Sequence, residues 1–337
     1  MMMEEKKRMK QDWIVPCAIG TAMAVMTTAM AGEAVAQEFP IKPVRVVVGF
    51  PPGGSNDIVA RTVTPRVGEL LGQQVIVENR PGANATIATE YVARSTPDGY
   101  TVFLGSVSSL GLSPHTYSKL GYDVMRDFAG ATTVAMTPEL IGVHPSLPVR
   151  NMKELIALAR TQPGKLSFAS SGNGGLPHLA IELMKSLAKI DVLHVAYKGA
   201  GPAVVDVTGG HVTGIIMDFP AVYGQVKAGK MRALALTAEQ RLPLMPDLPT
   251  AGEQGLKGLI AVNWFAIVVP VKTPRAVVER IHGAFVKAAQ SPDTQSKLRG
   301  MGIEPMTQAS PDATAKFLQG ELQRWGKVVK ESGARSD

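Results

Sequence analysis

The chain has 337 residues, 45% of them hydrophobic and 19% charged, with a formal net charge of +7 at pH 7. That length exceeds one ordinary core and suits two domains, and the composition excludes a disordered chain. Lys and Arg are scattered singly along the sequence, which argues against a nucleic-acid surface, where basic residues cluster; a positive field still favours the approach of small anions.

Lys6, Lys7, Arg8 and Lys10 precede an apolar run from Ile14 to Ala31, and Ala34-Val35-Ala36 closes it with small residues. A basic start, an apolar middle and an A-x-A end predict a secretory signal peptide over residues 1–36 and a secreted mature chain. The alternative is a membrane anchor, because the run approaches spanning length; its small residues and the lack of a basic stop-transfer cluster favour cleavage. The single cysteine, Cys17, lies at the start of the run behind Val15-Pro16, a poor lipidation context. The mature chain is therefore expected to carry no disulfide, thiolate chemistry or cysteine metal site. The leader holds four residues of each sign, so the mature charge stays at +7.

After the leader, Val44 to Phe50 is a β-branched run that predicts a buried strand. A helical pattern from Asp57 to Leu71 follows, then a strand at Gln74 to Glu78, a helix at Ala85 to Arg94, a turn at Pro97-Asp98-Gly99 and a strand at Tyr100 to Gly105. This alternation implies a parallel sheet with helices on both faces. A second series begins near residue 137. Its predicted strands are Leu140 to Val143, Leu166 to Ser170, Val192 to Tyr197, Gly214 to Asp218 and Ala233 to Thr237. Its helices are Met152 to Thr161, with Asn151 as N-cap, Pro177 to Ala188, Ala200 to Thr208 and Ala221 to Ala228. A strand at Trp264 to Val269 and helices at Arg275 to Ala289, Pro292 to Arg299 and Pro311 to Ser332 complete the chain. The trailing helices lack strands for a third domain and are expected to pack on the first. The fold class is thus α/β, with two doubly wound domains: residues 37–136 with 262–337, and residues 137–261. Two crossovers, near 137 and 262, would form a hinge.

Two strand-to-helix loops carry the candidate chemistry. In Phe50-Pro51-Pro52-Gly53-Gly54-Ser55-Asn56-Asp57, prolines stiffen the strand exit, glycines permit close approach of a ligand, and helix N–H groups point above the strand ends. It matches neither a Walker loop nor a dinucleotide fingerprint. Ser170, Ser171, Gly172, Asn173 and Gly174, running on to Pro177-His178, repeat the ingredients in the second domain. Facing each other across a cleft, both at C-terminal strand ends, they could hold one carboxylate. Weaker candidates at matching strand ends are Ser106 and Ser108, the Tyr197-Lys198-Gly199 turn, and Asp218 with Phe219; Asp218 could accept a hydrogen bond from a ligand amine or hydroxyl, or else cap the next helix. His178 and Glu182 have metal-ligand spacing, but no third ligand and no H-E-x-x-H accompany them. Ser170-Ser171 lacks a nucleophile elbow. Neither metal, cofactor nor catalysis is expected.

The chain resembles the Bug-type periplasmic receptors of tripartite tricarboxylate transporters. The matching stretches are Lys42-Pro43-Val44-Arg45, the 50–57 loop, Glu90 to Arg94, Pro97 to Thr101, His144 to Pro148, Gly164-Lys165-Leu166, Ser170 to Gly174, Tyr197-Lys198-Gly199, Leu248-Pro249-Thr250 and Trp264. They occur in the family's order over nearly the whole mature chain. The resemblance implies a type II Venus-flytrap fold. It implies a ligand carboxylate held by the loops matching 50–57 and 170–178, through backbone N–H groups and bridging waters. It also implies a monomeric receptor that delivers its ligand to membrane permease subunits; an orphan receptor signalling to a sensor protein is the alternative. One departure lies at Pro81 to Thr89, where Ala and Thr replace residues that are typically glycine or Gly-Ala in the family.

Overall fold

The computed structural model describes residues 39–332 and 335–336; the predicted leader and Cys17 lie outside the described residues. The first series runs β1 (Val44–Val48), α1 (Ser55–Leu71), β2 (Val75–Asn79), α2 (Thr86–Ala93) and β3 (Thr101–Ser106). A π-helical turn over Val107–Leu112 leads into α3 (Ser113–Thr116), α4 (Val124–Asp127) and β4 (Phe128–Val143). The second series is α5 (Met152–Thr161), β5 (Ser167–Ser170), α6 (Leu176–Ala188), β6 (Leu193–Ala196), α7 (Ala200–Thr208), β7 (Gly214–Asp218), α8 (Phe219–Lys227) and β8 (Arg232–Leu236). The chain closes with β9 (Val262–Pro270), α9 (Arg275–Gln290), α10 (Pro292–Arg299), β10 (Glu304–Pro305) and α11 (Pro311–Ser332).

The apolar run of β1 is continuous because both of its faces are covered. Val46 and Val48 pack with Val59, Val63 and Val67 of α1 and with Phe285 of α9. Val47 turns to the other face, against Ala88 and Val92 of α2. Strands β1, β2 and β3 pair in parallel, as do β5, β6 and β7. The sheet as a whole is mixed, in the order β2-β1-β3-β9-β4-β7-β5-β6.

Its two halves are joined by β4 and β9, which run antiparallel to each other and to their neighbours. Strand β4 is 16 residues long, much longer than its predicted Leu140 to Val143 core. From Phe128 to Pro138 it pairs with β9; from Glu139 onward it pairs with β7, and from Leu140 with β8. Pro138, which has no N–H to give a ladder, stands where the strand changes partners. Beside it, Glu139 N–H donates to Thr237 Oγ1 at 3.0 Å and to Ala261 O at 3.2 Å. The two crossovers are therefore stitched together at one point, with a two-lobed form on either side.

The trailing helices return to the first half. Helix α9 packs on α1, and Leu318 and Trp325 of α11 enter the same core as Phe103, Val107 and Leu110. Glu321 fastens this helix, its Oε2 accepting from Trp264 Nε1 at 2.6 Å and Trp325 Nε1 at 2.9 Å.

Candidate functional site: a cleft at the strand ends

The loop after β1 is held from outside the cleft. Asp57 accepts from Gly53 N–H at 3.0 Å, Arg61 Nε at 2.9 Å and Asn79 Nδ2 at 3.0 Å, and Asn79 also donates to Phe50 O at 3.1 Å. Burial raises the Asp57 carboxyl, but these hydrogen bonds outweigh it and hold the group below its ordinary value. Gly53 itself has φ +83°, which glycine adopts without strain. No side chain caps α1. Its first residues, Ser55 and Asn56, border a cavity together with Phe50, Pro51, Pro52 and Gly54.

In the second half, the loop after β5 is braced by two stacked imidazoles. His178 and His194 lie with ring centroids 4.0 Å apart. His178 Nδ1 accepts from Gly174 N–H at 2.9 Å, so its proton sits on Nε2, and His194 Nε2 pairs with Ser170 Oγ at 2.6 Å. Burial pushes both rings down, His194 to about 3 with help from His178 and Lys185. Both are neutral scaffold. From this loop only Ser171 and Pro177 reach the cavity; Ala200 and Gly201, the uncapped start of α7, reach it as well.

Ser106 from the end of β3, Ser108 from the π-helical turn after it, Met217 and Asp218 from β7, and Asn263 from β9 complete the lining. Asn263 ties the parts together: its Oδ1 accepts from Val107 N–H at 3.2 Å, and its Nδ2 donates to the Asp218 carboxyl at 3.0 Å. No Lys, Arg or His is among the described residues that line the cavity. What the cavity offers an anion is therefore N–H groups at the starts of α1 and α7, hydroxyls, and the Asn56 amide.

The halves meet closely around this space. Ser108 Oγ, from the first half, accepts from Leu176 N–H at 3.1 Å and caps α6 of the second. A Cβ added to Gly199 would stand 3.0 Å from Pro51 Cγ, and one added to Gly175 would stand 2.9 Å from Asn84 Oδ1. The volume left is about 30 Å3, room for roughly two waters and far below the few hundred Å3 of an ordinary ligand site. This is a closed geometry. A roomier hollow of about 550 Å3 lies beside Thr64, Gly68 and Gly72 at the other end of α1, but it opens on solvent and faces a helix C-terminus, the wrong polarity for an anion.

Of the residues singled out in the sequence, Phe50, Pro51, Pro52, Gly54, Ser55, Asn56, Ser106, Ser108, Ser171 and Asp218 border the cavity. Gly53, Asp57, Ser170, Gly172, Gly174, His178 and Gly199 shape or close the loops behind it, and Asn173 is exposed and does not border the cavity. Tyr197 donates to Asp206 Oδ2 at 2.5 Å, Lys198 is exposed, and Phe219 is buried against Tyr223. Asn263 was missed; its signal is a lone amide opening an otherwise apolar strand. The departure at 81–89 is visible too: Ala83, Asn84 and Ala85 all take left-handed backbone, with φ of 45°, 52° and 71°.

The arrangement defines a two-lobed binding protein of type II. The family model described as "Tripartite tricarboxylate transporter family receptor" matches residues 59–334, and the chain belongs to that family of periplasmic receptors. It is similar to a structure described as a periplasmic transporter (36% identity, TM-score 0.85, covering 89% of this chain and 100% of the other). It is also similar to an R. palustris protein solved with adipate (34%, 0.85, 88% and 99%). A third similar structure is MatC from Rhodopseudomonas palustris with bound malate (30%, 0.81, 86% and 100%).

Proposed function

We infer that the cleft captures one small organic carboxylate and closes over it, and that the lobes are residues 37–136 with 262–337 and residues 137–261. The observation that carries this reading is the convergence of two uncapped helix starts, α1 and α7, on a small polar cavity without a cationic side chain. The adipate and malate held by two relatives support the ligand class. A carboxylate needs no arginine here: hydrogen bonds to a charged group contribute about 1.5–3 kcal/mol each, and a few reach the roughly 8 kcal/mol of micromolar affinity before ordering costs.

Because the closed cavity is too small for an organic acid, entry requires the lobes to part about β4 and β9, and ligand then favours the closed form. The monomeric receptor would release its ligand to membrane permease subunits. A thermal-shift screen of residues 37–337 against mono-, di- and tricarboxylates tests the reading. At a hundred times its dissociation constant a ligand stabilises by about 2.7 kcal/mol. A rise of several degrees with one carboxylate class is expected; a folded, ligand-free sample that no carboxylate shifts would refute it.

A further inference from the structure

Glu139 and Asp218 are cross-strand partners on β4 and β7, and directly opposed residues share a sheet face at close range. Glu139 is fully buried, and neither of its oxygens meets an N–H or hydroxyl donor. What lies against it is the Asp218 carboxyl. Two carboxyls in contact away from water cannot both ionise, so the pair holds a proton. Burial and the Asp218 charge push the Glu139 carboxyl well up. Asp218 is also raised by burial, but Glu139, Asn263 and Ser55 oppose that rise. Because Asn263 Nδ2 donates to both Asp218 oxygens, at 3.0 and 3.2 Å, while Glu139 meets no donor, the arrangement favours the negative charge on Asp218 and the proton on Glu139.

Of the two, only Asp218 borders the cavity. The groups that meet it there are neutral: Asn263 from β9, and Ser55 from α1, whose Oγ is close enough to favour the anion yet makes no hydrogen bond of its own. The cavity floor thus presents an acceptor with no cation beside it, in the same cavity as helix starts that favour an anion.

We propose that Asp218, backed by Glu139 and held by Asn263, is a specificity site that accepts a hydrogen bond from a hydroxyl or ammonium group of the ligand and turns away a second carboxylate at that position. This rests on the carboxylate reading of the cleft and narrows it to hydroxy- and amino-carboxylates. A ligand without a donor leaves a buried anion unsatisfied, which discriminates more sharply than a change in apolar bulk. A second carboxylate could face Asp218 only by bringing another proton with it.

The test is calorimetric titration of the mature chain near neutral pH with matched four-carbon and six-carbon acids. Each set holds the plain monocarboxylate, its hydroxy and amino derivatives, and the dicarboxylate, in two buffers of different ionisation heat. The best donor-bearing acid should bind at least about tenfold tighter than its plain and dicarboxylate counterparts, without proton uptake, and any dicarboxylate that binds should take up a proton. Asp218→Asn should abolish the preference; if that variant does not fold, the wild-type ranking and proton count decide alone. Succinate or adipate binding as tightly as the donor-bearing acids without proton uptake, or a preference that survives in Asp218→Asn, overturns the proposal and leaves the carboxylate reading standing. Binding by no acid of either set overturns both.

Discussion

Gly175 isolates closure from both folding and direct ligand contact. It has ordinary backbone, φ −83°, at the N-cap of α6, and it does not border the cavity. The obstacles to a side chain there belong to the other half of the molecule: a Cβ would lie 2.9 Å from Asn84 Oδ1 and 3.4 Å from Ser108 Oγ. Alanine asks Asn84 to shift slightly. Valine sends γ carbons about 1.5 Å further, into the space where Ser108 caps Leu176 at 3.1 Å. Overpacking of about 1–3 kcal/mol plus a lost hydrogen bond of about 1 kcal/mol weakens the closed form by roughly 2–4 kcal/mol. Gly175→Val should therefore lower carboxylate affinity by about thirtyfold or more, Gly175→Ala by much less. Its melting temperature without ligand should stay within a few degrees of wild type, and small-angle scattering should show a protein that no longer compacts with ligand. Unchanged affinity in a folded Gly175→Val protein would refute the idea that the halves close here on binding.

Left-handed backbone costs an alanine about 1–2 kcal/mol, while a glycine adds unfolded-state entropy of about 0.4–1 kcal/mol. Ala83 is exposed, so Ala83→Gly should raise the melting temperature by up to a few degrees; Ala85, 1% exposed, also loses a packed methyl, and Ala85→Gly should be near neutral. The pH dependence has two opposed parts. Glu139 is raised, so its stabilisation is full below its unfolded value near 4.5 and declines as pH rises; the gain in melting temperature from Glu139→Gln should grow from pH 5 to pH 8. His194 is depressed to about 3 from 6.5, so stability falls as pH drops below 6.5, and His194→Gln should flatten that limb of a melting-temperature profile. Glu321→Ala leaves two buried indole N–H groups without their acceptor, and chemical denaturation should show a loss of about 2–4 kcal/mol.

The fold was legible where residues answer to one local rule. The β-branched run of β1, the proline at the second position of α6 and the Asn151 cap, which accepts from Glu154 N–H at 2.9 Å, each announce their element. Strand β4 was legible only at its apolar end. Its middle holds Thr132, Thr133, Thr137, Pro138 and Glu139, and two register shifts against β9 break the period on which strand recognition depends. The loop after β1 could be read because its glycines and prolines act locally. Ser108 capping α6, Asn263 bracing Asp218 and Glu139 pressing on Asp218 are contacts between residues far apart in sequence, and spacing alone carries no trace of them. The same limit explains the loop after β5: its glycines promised a ligand surface, yet in the closed form two of its N–H groups are taken by His178 and Ser170, and α7 supplies the second free helix start.

The central claim is recognition of a carboxylate's charge by helix starts and hydroxyls. Isothermal titration of the tightest-binding carboxylate and of its primary amide tests it most directly, since the two share shape and differ in charge. The amide should bind at least about a hundredfold more weakly. Equal affinity for acid and amide would contradict it.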